Sequence, residues 1–402
     1  MKRLTPVVLP LCAGLLAPAT ALAGDSLVSA IADGKTTLNL RLRHEQVDDD
    51  KFDKTAQAST LRARLGYLSK DWHGIGFGVE LDHVQHLGGQ RFNDTRNKEV
   101  EFPMVVDPDG TDLNQAFLTY KVAKSTLTAG RQRLNMGNQR WVGGVAWRQN
   151  EQTFDALRLQ SKAIDTVDID YAYVGKTRRV FGPQDGVPPA DLDSDHHLVT
   201  VNWQPLKAVT LGSYAYLLDF DEMPEMSSRT VGALATGAVA LKPVTLDYRV
   251  EAARQDDYGD NAKDFEASYH HVVLGAKVAG VRAFVAEERL GADKDAGVAL
   301  QTPLATLHAF QGWADKLMTT PKSGLRDRYV GASTTLKGTA LTAVWHDYEA
   351  DAGSAELGSE WNLQASHTFA KRYTLTAKYA DYRAETFAKD TQKVWLMAEA
   401  TF

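Results

Sequence analysis

Apolar and polar residues alternate with a period of two along most of the chain, the pattern of strands whose two faces meet different surroundings. Leu38, Leu40 and Leu42 interleave with Asn39, Arg41 and Arg43, and Leu61, Ala63, Leu65 and Tyr67 with Arg62, Arg64 and Gly66. Val167, Ile169, Tyr171 and Tyr173 interleave with Asp168 and Asp170. Leu246, Tyr248 and Val250 interleave with Asp247, Arg249 and Glu251. The last stretch alternates Val394, Leu396, Ala398, Ala400 and Phe402 with Lys393 and Glu399. Strands of about ten residues, the length of a barrel span, can be placed eighteen times. They start near residues 36, 58, 75, 113, 126, 156, 166, 195, 208, 229, 244, 266, 281, 328, 339, 358, 372 and 391.

The connections sort by parity. Even-numbered ones are tight: Asp71-Trp72-His73-Gly74, Ala123-Lys124-Ser125, Pro205-Leu206-Lys207, Lys242-Pro243, Ala279-Gly280, Lys337-Gly338 and Ala370-Lys371. Odd-numbered ones are long, polar and mostly acidic, and include 48–57, 88–112, 135–152, 176–193, 255–264 and 291–327. A soluble sandwich has no reason to sort connections this way. A membrane barrel does, with short periplasmic turns and long external loops. The expected fold is therefore all-β, a transmembrane antiparallel up-and-down β-barrel of eighteen strands. In hydrocarbon each unpaired N–H or C=O costs several kcal/mol, so the sheet must close. The inward charges, among them Arg41, Arg62, Asp168, Asp170, Arg249 and Glu251, would be costly in a packed core. They are expected to stay solvated in a water-filled lumen; the alternative is the exposed face of an open soluble sheet.

Composition narrows the setting. The 402 residues contain 8 Trp, 14 Tyr and 14 Phe, too many aromatics for a disordered chain. Beyond the N-terminus no apolar run approaches the ~18–20 residues of a helical span. The net charge of −6 argues against nucleic acid as a partner. Lys2 and Arg3, the apolar stretch 7–16 and the small-x-small Ala21-Leu22-Ala23 read as a signal peptide over 1–23. Residues 24–402 would then form a barrel in the bacterial outer membrane. The single cysteine, Cys12, falls within that leader, so disulfides cannot stabilise the exported chain. Aromatics near strand ends fit an interfacial belt, Tyr67, Trp72, Tyr120, Trp203, Phe369 and Tyr373 towards the short turns and Tyr348 and Tyr382 towards the loops. The terminal Phe402 on an outward-alternating strand resembles the signal read by the barrel assembly machinery. Acidic loops such as Asp48-Asp49-Asp50 suit a surface facing lipid, lipopolysaccharide and divalent cations.

Two loop segments carry a family resemblance. One is Asn114-Gln115-Ala116-Phe117-Leu118, then Gly130-Arg131-Gln132-Arg133-Leu134-Asn135-Met136-Gly137-Asn138-Gln139-Arg140, then Trp147-Arg148-Gln149-Asn150-Glu151-Gln152-Thr153-Phe154-Asp155-Ala156. The other is Gln301-Thr302-Pro303-Leu304-Ala305-Thr306-Leu307-His308 with Phe310-Gln311-Gly312-Trp313-Ala314-Asp315-Lys316. In these the chain resembles the alginate export family of outer-membrane porins. The resemblance implies a monomeric eighteen-stranded barrel whose arginine-lined pore passes an anionic oligo- or polysaccharide. The chain is shorter than expected of the dedicated exporter, so the resemblance implies the family before the substrate.

The side chains suit that reading. A guanidinium stays charged and pairs with carboxylates in a fork, and a pore needs weak, repeated sites. Arg41, Arg43, Arg62, Arg64, Arg131, Arg133, Arg140, Arg148, Arg158 and Arg249 could form such a ladder, with Asp168 and Asp170 beside them on the lumen face. Arg131 and Arg133 share phase with Leu127 and Ala129, so a bulge would be needed to turn them inward. Arg140, Trp147 and Arg148 are candidates for a constriction. The competing reading pairs these arginines across strands with Glu45, Glu80, Asp82, Asp168, Asp170 and Glu251. No cofactor is expected. The pairs His196-His197 and His270-His271 point to opposite faces of a strand and so share no metal. The segment 107–112 has a calcium loop's spaced carboxylates but no well-placed bidentate glutamate, and reads as an acidic turn. No G-x-S-x-G elbow marks a hydrolase. A passive anion channel is the expected function. The alternatives are a general porin or one for another solute, a barrel hydrolase or lipid-modifying enzyme, and a surface receptor or adhesin binding through the loop 291–322.

Overall fold

The structure is a computed structural model and describes residues 26–402. The leader expected at 1–23 lies outside the described residues. Eighteen strands form one sheet. They are Lys35–Asp49 (β1), Ala56–Leu68 (β2), Ile75–His86 (β3), Gly110–Val122 (β4), Ser125–Gln132 (β5) and Thr153–Ser161 (β6). Next come Val167–Arg178 (β7), Asp191–Leu206 (β8), Val209–Leu218 (β9), Ser228–Leu241 (β10), Val244–Asp257 (β11) and Glu266–Val278 (β12). Val281–Leu290 (β13), Leu325–Leu336 (β14), Thr339–Glu349 (β15), Glu356–Phe369 (β16), Tyr373–Ala384 (β17) and Thr391–Thr401 (β18) complete it. Each expected strand is present. The largest offset is at β8, which begins at Asp191 rather than near 195.

Every strand pairs antiparallel with the next, and β1 pairs with β18 from Asn39–Thr401 to Asp49–Thr391. The sheet therefore has no edge. The seam ends in two mutual bonds, Leu38 N to Phe402 O (3.1 Å) and Phe402 N to Leu38 O (2.9 Å). The tight turns follow backbone sterics. Ala279-Gly280 and Lys337-Gly338 take φ of 48° and 85°, and of 48° and 82°, the doubly left-handed turn that matches strand twist. Outward side chains such as Leu65, Leu246, Val250 and Leu396 are exposed, while inward Arg62, Asp82 and Glu251 are buried. Among the described residues no helix is long and apolar enough to cross a membrane. A short helix that the periodicity did not indicate, Leu27–Ala32, is capped by Ser26 and held on the short-turn side by Lys70 N donating to Ala30 O.

The lumen differs from the expectation of a purely water-filled space. Loops 133–152 and 291–324 fold back between the walls. They join each other through Gly143 N to Leu304 O (2.9 Å) and Thr306 N to Gln139 O (3.0 Å). Leu134, Met136, Val142, Leu300, Leu304 and Leu317 of these loops pack against Tyr214, Tyr216, Tyr269, Tyr348, Tyr382 and Trp395 of the wall, so Tyr348 and Tyr382 lie buried inside the barrel and not in the interfacial belt expected of them. The reason is chemical. These loops carry too many apolar side chains to lie in water, and the inner wall offers aromatic rings on which to bury them.

Candidate functional site: the constriction inside the barrel

Strand pairing brings four arginines onto one patch of inner wall. Arg41 sits opposite Arg62 across β1 and β2, and Arg64 opposite Asp82 across β2 and β3. Three of the four are tied down. Arg41 Nε donates to Glu399 Oε2 at 2.8 Å, and its Nη1 to Ala146 O at 3.0 Å. Arg43 Nη1 donates to Trp147 O at 2.9 Å, and its guanidinium lies 4.2 Å from the Trp147 ring. Arg64 grips Asp82 in a fork, at 2.7 and 2.5 Å, and also bonds Glu151. Loop 133–152 is thus held to the wall by charge-assisted bonds, roughly twice as strong as neutral ones.

The loop's own charges complete the lattice. Arg133 donates to Glu151 at 2.6 Å and to Glu80 at 2.9 Å. Arg148 donates to Glu45 at 3.1 Å. Burial acts to raise the Glu151 carboxyl, but Arg64 and Arg133 outweigh it and hold it below its ordinary value. Burial likewise acts to lower Arg148, and Glu45, Asp107 and Asp315 outweigh it, so its proton is held more tightly. Arg62 is the exception. It is 2% exposed and donates Nη2 to Asn39 Oδ1 at 2.7 Å. Its Nε and Nη1 have no acceptor, and among the described residues no carboxylate pairs with it.

The second infolded loop docks on a lysine. Lys378 of β17 points its ammonium between the rings of Trp147 (3.9 Å) and Trp313 (3.8 Å), with Trp395 at 5.5 Å. Its Nζ donates to His308 Nε2 at 2.7 Å, so His308 carries its proton on Nδ1 and donates to Asp315 Oδ1 at 2.8 Å. His308 stacks on Trp147 at 4.3 Å. Asp315 also receives Lys393 at 2.8 Å. Burial, aided by the Lys378 cation, pushes His308 well below its ordinary value. Burial acts to raise Asp315, but Lys393, His308 and Arg148 hold it well below the usual carboxylate range. One aromatic and ionic box thus joins both loops to the wall.

The remaining candidates are spread around the barrel. Arg140 is buried against Glu288 (2.6 Å) and donates to Thr302 Oγ1 (3.0 Å). Arg158 forks onto Asp170 at 2.8 and 2.5 Å, and Arg249 pairs with Glu251. Asp168 lies near the short-turn end and meets Lys162 at 3.3 Å. Arg131 is not brought to the constriction. No register shift interrupts β5, so it keeps the outward phase of Leu127 and bonds Asp155 at 3.0 Å. The irregularities fall instead in β4, where Glu80 pairs with Gln115 but Leu81 with Leu113, and in β7, two strands away, where Val174 is followed in the register by Lys176. Arg133 lies beyond the end of β5, in the infolded loop. Asp107 turns its carboxylate inward, accepting Gln149 N at 2.8 Å. The sequence pattern singles out neither Lys378 nor Glu288, and marks Lys393 only as a polar position of the last strand. The signal was there for Lys378, which alternates with Leu375, Ala377 and Tyr379 in phase with buried Ala380.

The model of the alginate export family matches residues 27–288, stopping short of the second infolded loop. No curated protein matches the chain in sequence. Solved outer-membrane barrels share the fold, among them the following three. OccAB2 of Acinetobacter baumannii is 16% identical with a TM-score of 0.74, covering 93% of this chain and 99% of its own. OccD3 (OpdP) of Pseudomonas aeruginosa is 13% identical with a TM-score of 0.72, covering 93% and 92%. OpdK of Pseudomonas aeruginosa with vanillate is 14% identical with a TM-score of 0.70, covering 92% and 99%. At such identities the likeness is one of fold, that of an outer-membrane barrel.

Proposed function

Because this chain belongs to the alginate export family of outer-membrane porins, we propose that it passes anionic saccharides, an alginate-like polyuronate or related carboxylates, through its arginine-bearing lumen. The observation that carries this reading is Arg62, a buried guanidinium with two donor nitrogens unused and no carboxylate partner. A cation held that way offers a passing carboxylate what its paired neighbours Arg41 and Arg64 already have. The paired arginines then act as exchange sites, each weak because a resident carboxylate competes, as conduction requires. The long acidic loops would face lipopolysaccharide, and the assembly machinery would read Phe402 at the seam.

A second reading takes a small carboxylate as the natural solute. It is favoured by the neighbour determined with vanillate and by the loops that narrow the lumen. Block of single channels separates the two. Oligouronates should interrupt the current at lower concentration than neutral oligosaccharides of equal length, and Arg62→Gln should weaken that block about tenfold, the ~1.4 kcal/mol of one charge-assisted bond. Block by vanillate-like anions alone would favour the small solute. Equal block by charged and neutral sugars would refute both.

A further inference from the structure

The helix Leu27–Ala32 presents an apolar face that the barrel leaves uncovered. Leu27 is 51% exposed, Val28 66% and Ile31 45%. In the folded helix residues 27 and 31 stand one turn apart, with 28 beside them. Ser26, Ser29 and Asp33 fall on the opposite side, where Ser26 and Ser29 bond each other across the first turn.

Tyr67 shows on which side of the wall this helix sits. It keeps the outward phase of Leu61 and Leu65, and its ring lies 5.6 Å from that of Phe77. The ring leans across Gly34, where a Cβ would run into the hydroxyl, and donates that hydroxyl to the Ile31 carbonyl. Lys70 fixes the same end twice, through its N–H to Ala30 O at 3.0 Å and its Nζ to Asp33 Oδ2 at 2.9 Å. The helix is thus tied to the outer side of the wall at the short-turn rim. Leu65 and Val79, exposed beside Tyr67 on the same outer face, continue its apolar surface upward into the lipid belt.

We propose that this helix lies in the headgroup boundary of the phospholipid leaflet on the short-turn side, with Leu27, Val28 and Ile31 inserted among the acyl chains. A helix with one apolar and one polar side settles in that plane, burying the first and wetting the second. Left in water, three adjacent apolar side chains would forgo that burial. Lys35, exposed at the start of β1, stands where an interfacial cation anchors a span. This contact concerns how the barrel is seated, so it goes beyond the passage of carboxylates and does not depend on it. It would fix the depth of β1, one side of the closing seam.

Fluorescence of the full barrel in phospholipid vesicles tests this. In a Cys12→Ser background, Val28→Cys and Ile31→Cys each carry an environment-sensitive dye. Asp165→Cys, in the short turn after β6, carries the water reference. All three side chains are exposed, so the dyes leave the packing of the wall alone. The dyes at positions 28 and 31 should emit to the blue of the reference. They should lose intensity in vesicles whose lipids are brominated near the headgroup end of the chains, while aqueous iodide quenches the reference only. Emission matching the reference, with quenching by iodide, would put the face in water. Protection from bromine and iodide alike would put it against protein. Either result overturns the proposal.

Discussion

A guanidinium does not give up its proton inside a protein, so each arginine in this lumen must be met by a carboxylate, a ring or a solute. Arg64, Arg140 and Arg158 have carboxylates, Arg43 has the Trp147 ring as well, and Arg62 has a single amide oxygen. Titration of the loop groups has a definite sign. His308 is held neutral in the closed arrangement by burial and by Lys378. Any state that frees it binds a proton once the pH falls below about 6.5, so closure weakens from there downward. Asp315 and Glu151 are held below their ordinary values. Their contribution is complete above about pH 4 and is lost as pH falls toward the native values. Conductance followed against pH should rise in two stages, and His308→Gln should remove the upper one only. An upper stage unchanged in that variant would assign it to another group. Trp147→Ala removes the ring shared by Arg43 and Lys378. It should cost about 3–5 kcal/mol of loop docking, read as a large rise in open-channel occupancy.

The two infolded loops behave as elements in their own right. Loop 291–324 lies tight against the wall at Gly312, whose φ is 80° and where a Cβ would run into the Tyr348 hydroxyl and the Glu360 carboxylate. Gly312→Val should therefore undock the loop at a cost of about 1–3 kcal/mol, seen as protease cleavage within 291–324 while barrel melting is unchanged. Cleavage no faster than in the unaltered protein would place the contact elsewhere. The strands were legible because lipid and lumen impose opposite demands on alternate residues, and β1, β2 and β11 show it plainly. Arg140, Trp147 and Arg148 were legible as lumen candidates because they stood in segments unlike ordinary loops. Their partners were not. Glu288, which meets Arg140, and Lys378, which meets Trp147, lie far away in sequence, and only closure of the sheet brings them within reach. Arg131 departs from expectation for a related reason: bulges in β4 and β7, not one in its own strand, absorb the irregularity. The helix Leu27–Ala32, at 6 residues, is too short to show a period.

For the molecule as a whole, closure and filling have separate causes. The sheet closes because hydrocarbon tolerates no edge, and Phe402 completes the ring by bonding back to Leu38. The lumen fills because two loops have apolar faces to bury. Charge is distributed in the same layered way. The chain carries a net −6, with acidic loops at the mouth. Those alone would favour cations, so a preference for anions must come from the inner wall, where field lines are confined by low-dielectric walls. The reversal potential of the unaltered protein in a KCl gradient across a planar bilayer separates these contributions. An anion-preferring potential, reduced in Arg62→Glu and Arg64→Glu, is the expected result; a cation-preferring one would contradict the proposed passage of carboxylates.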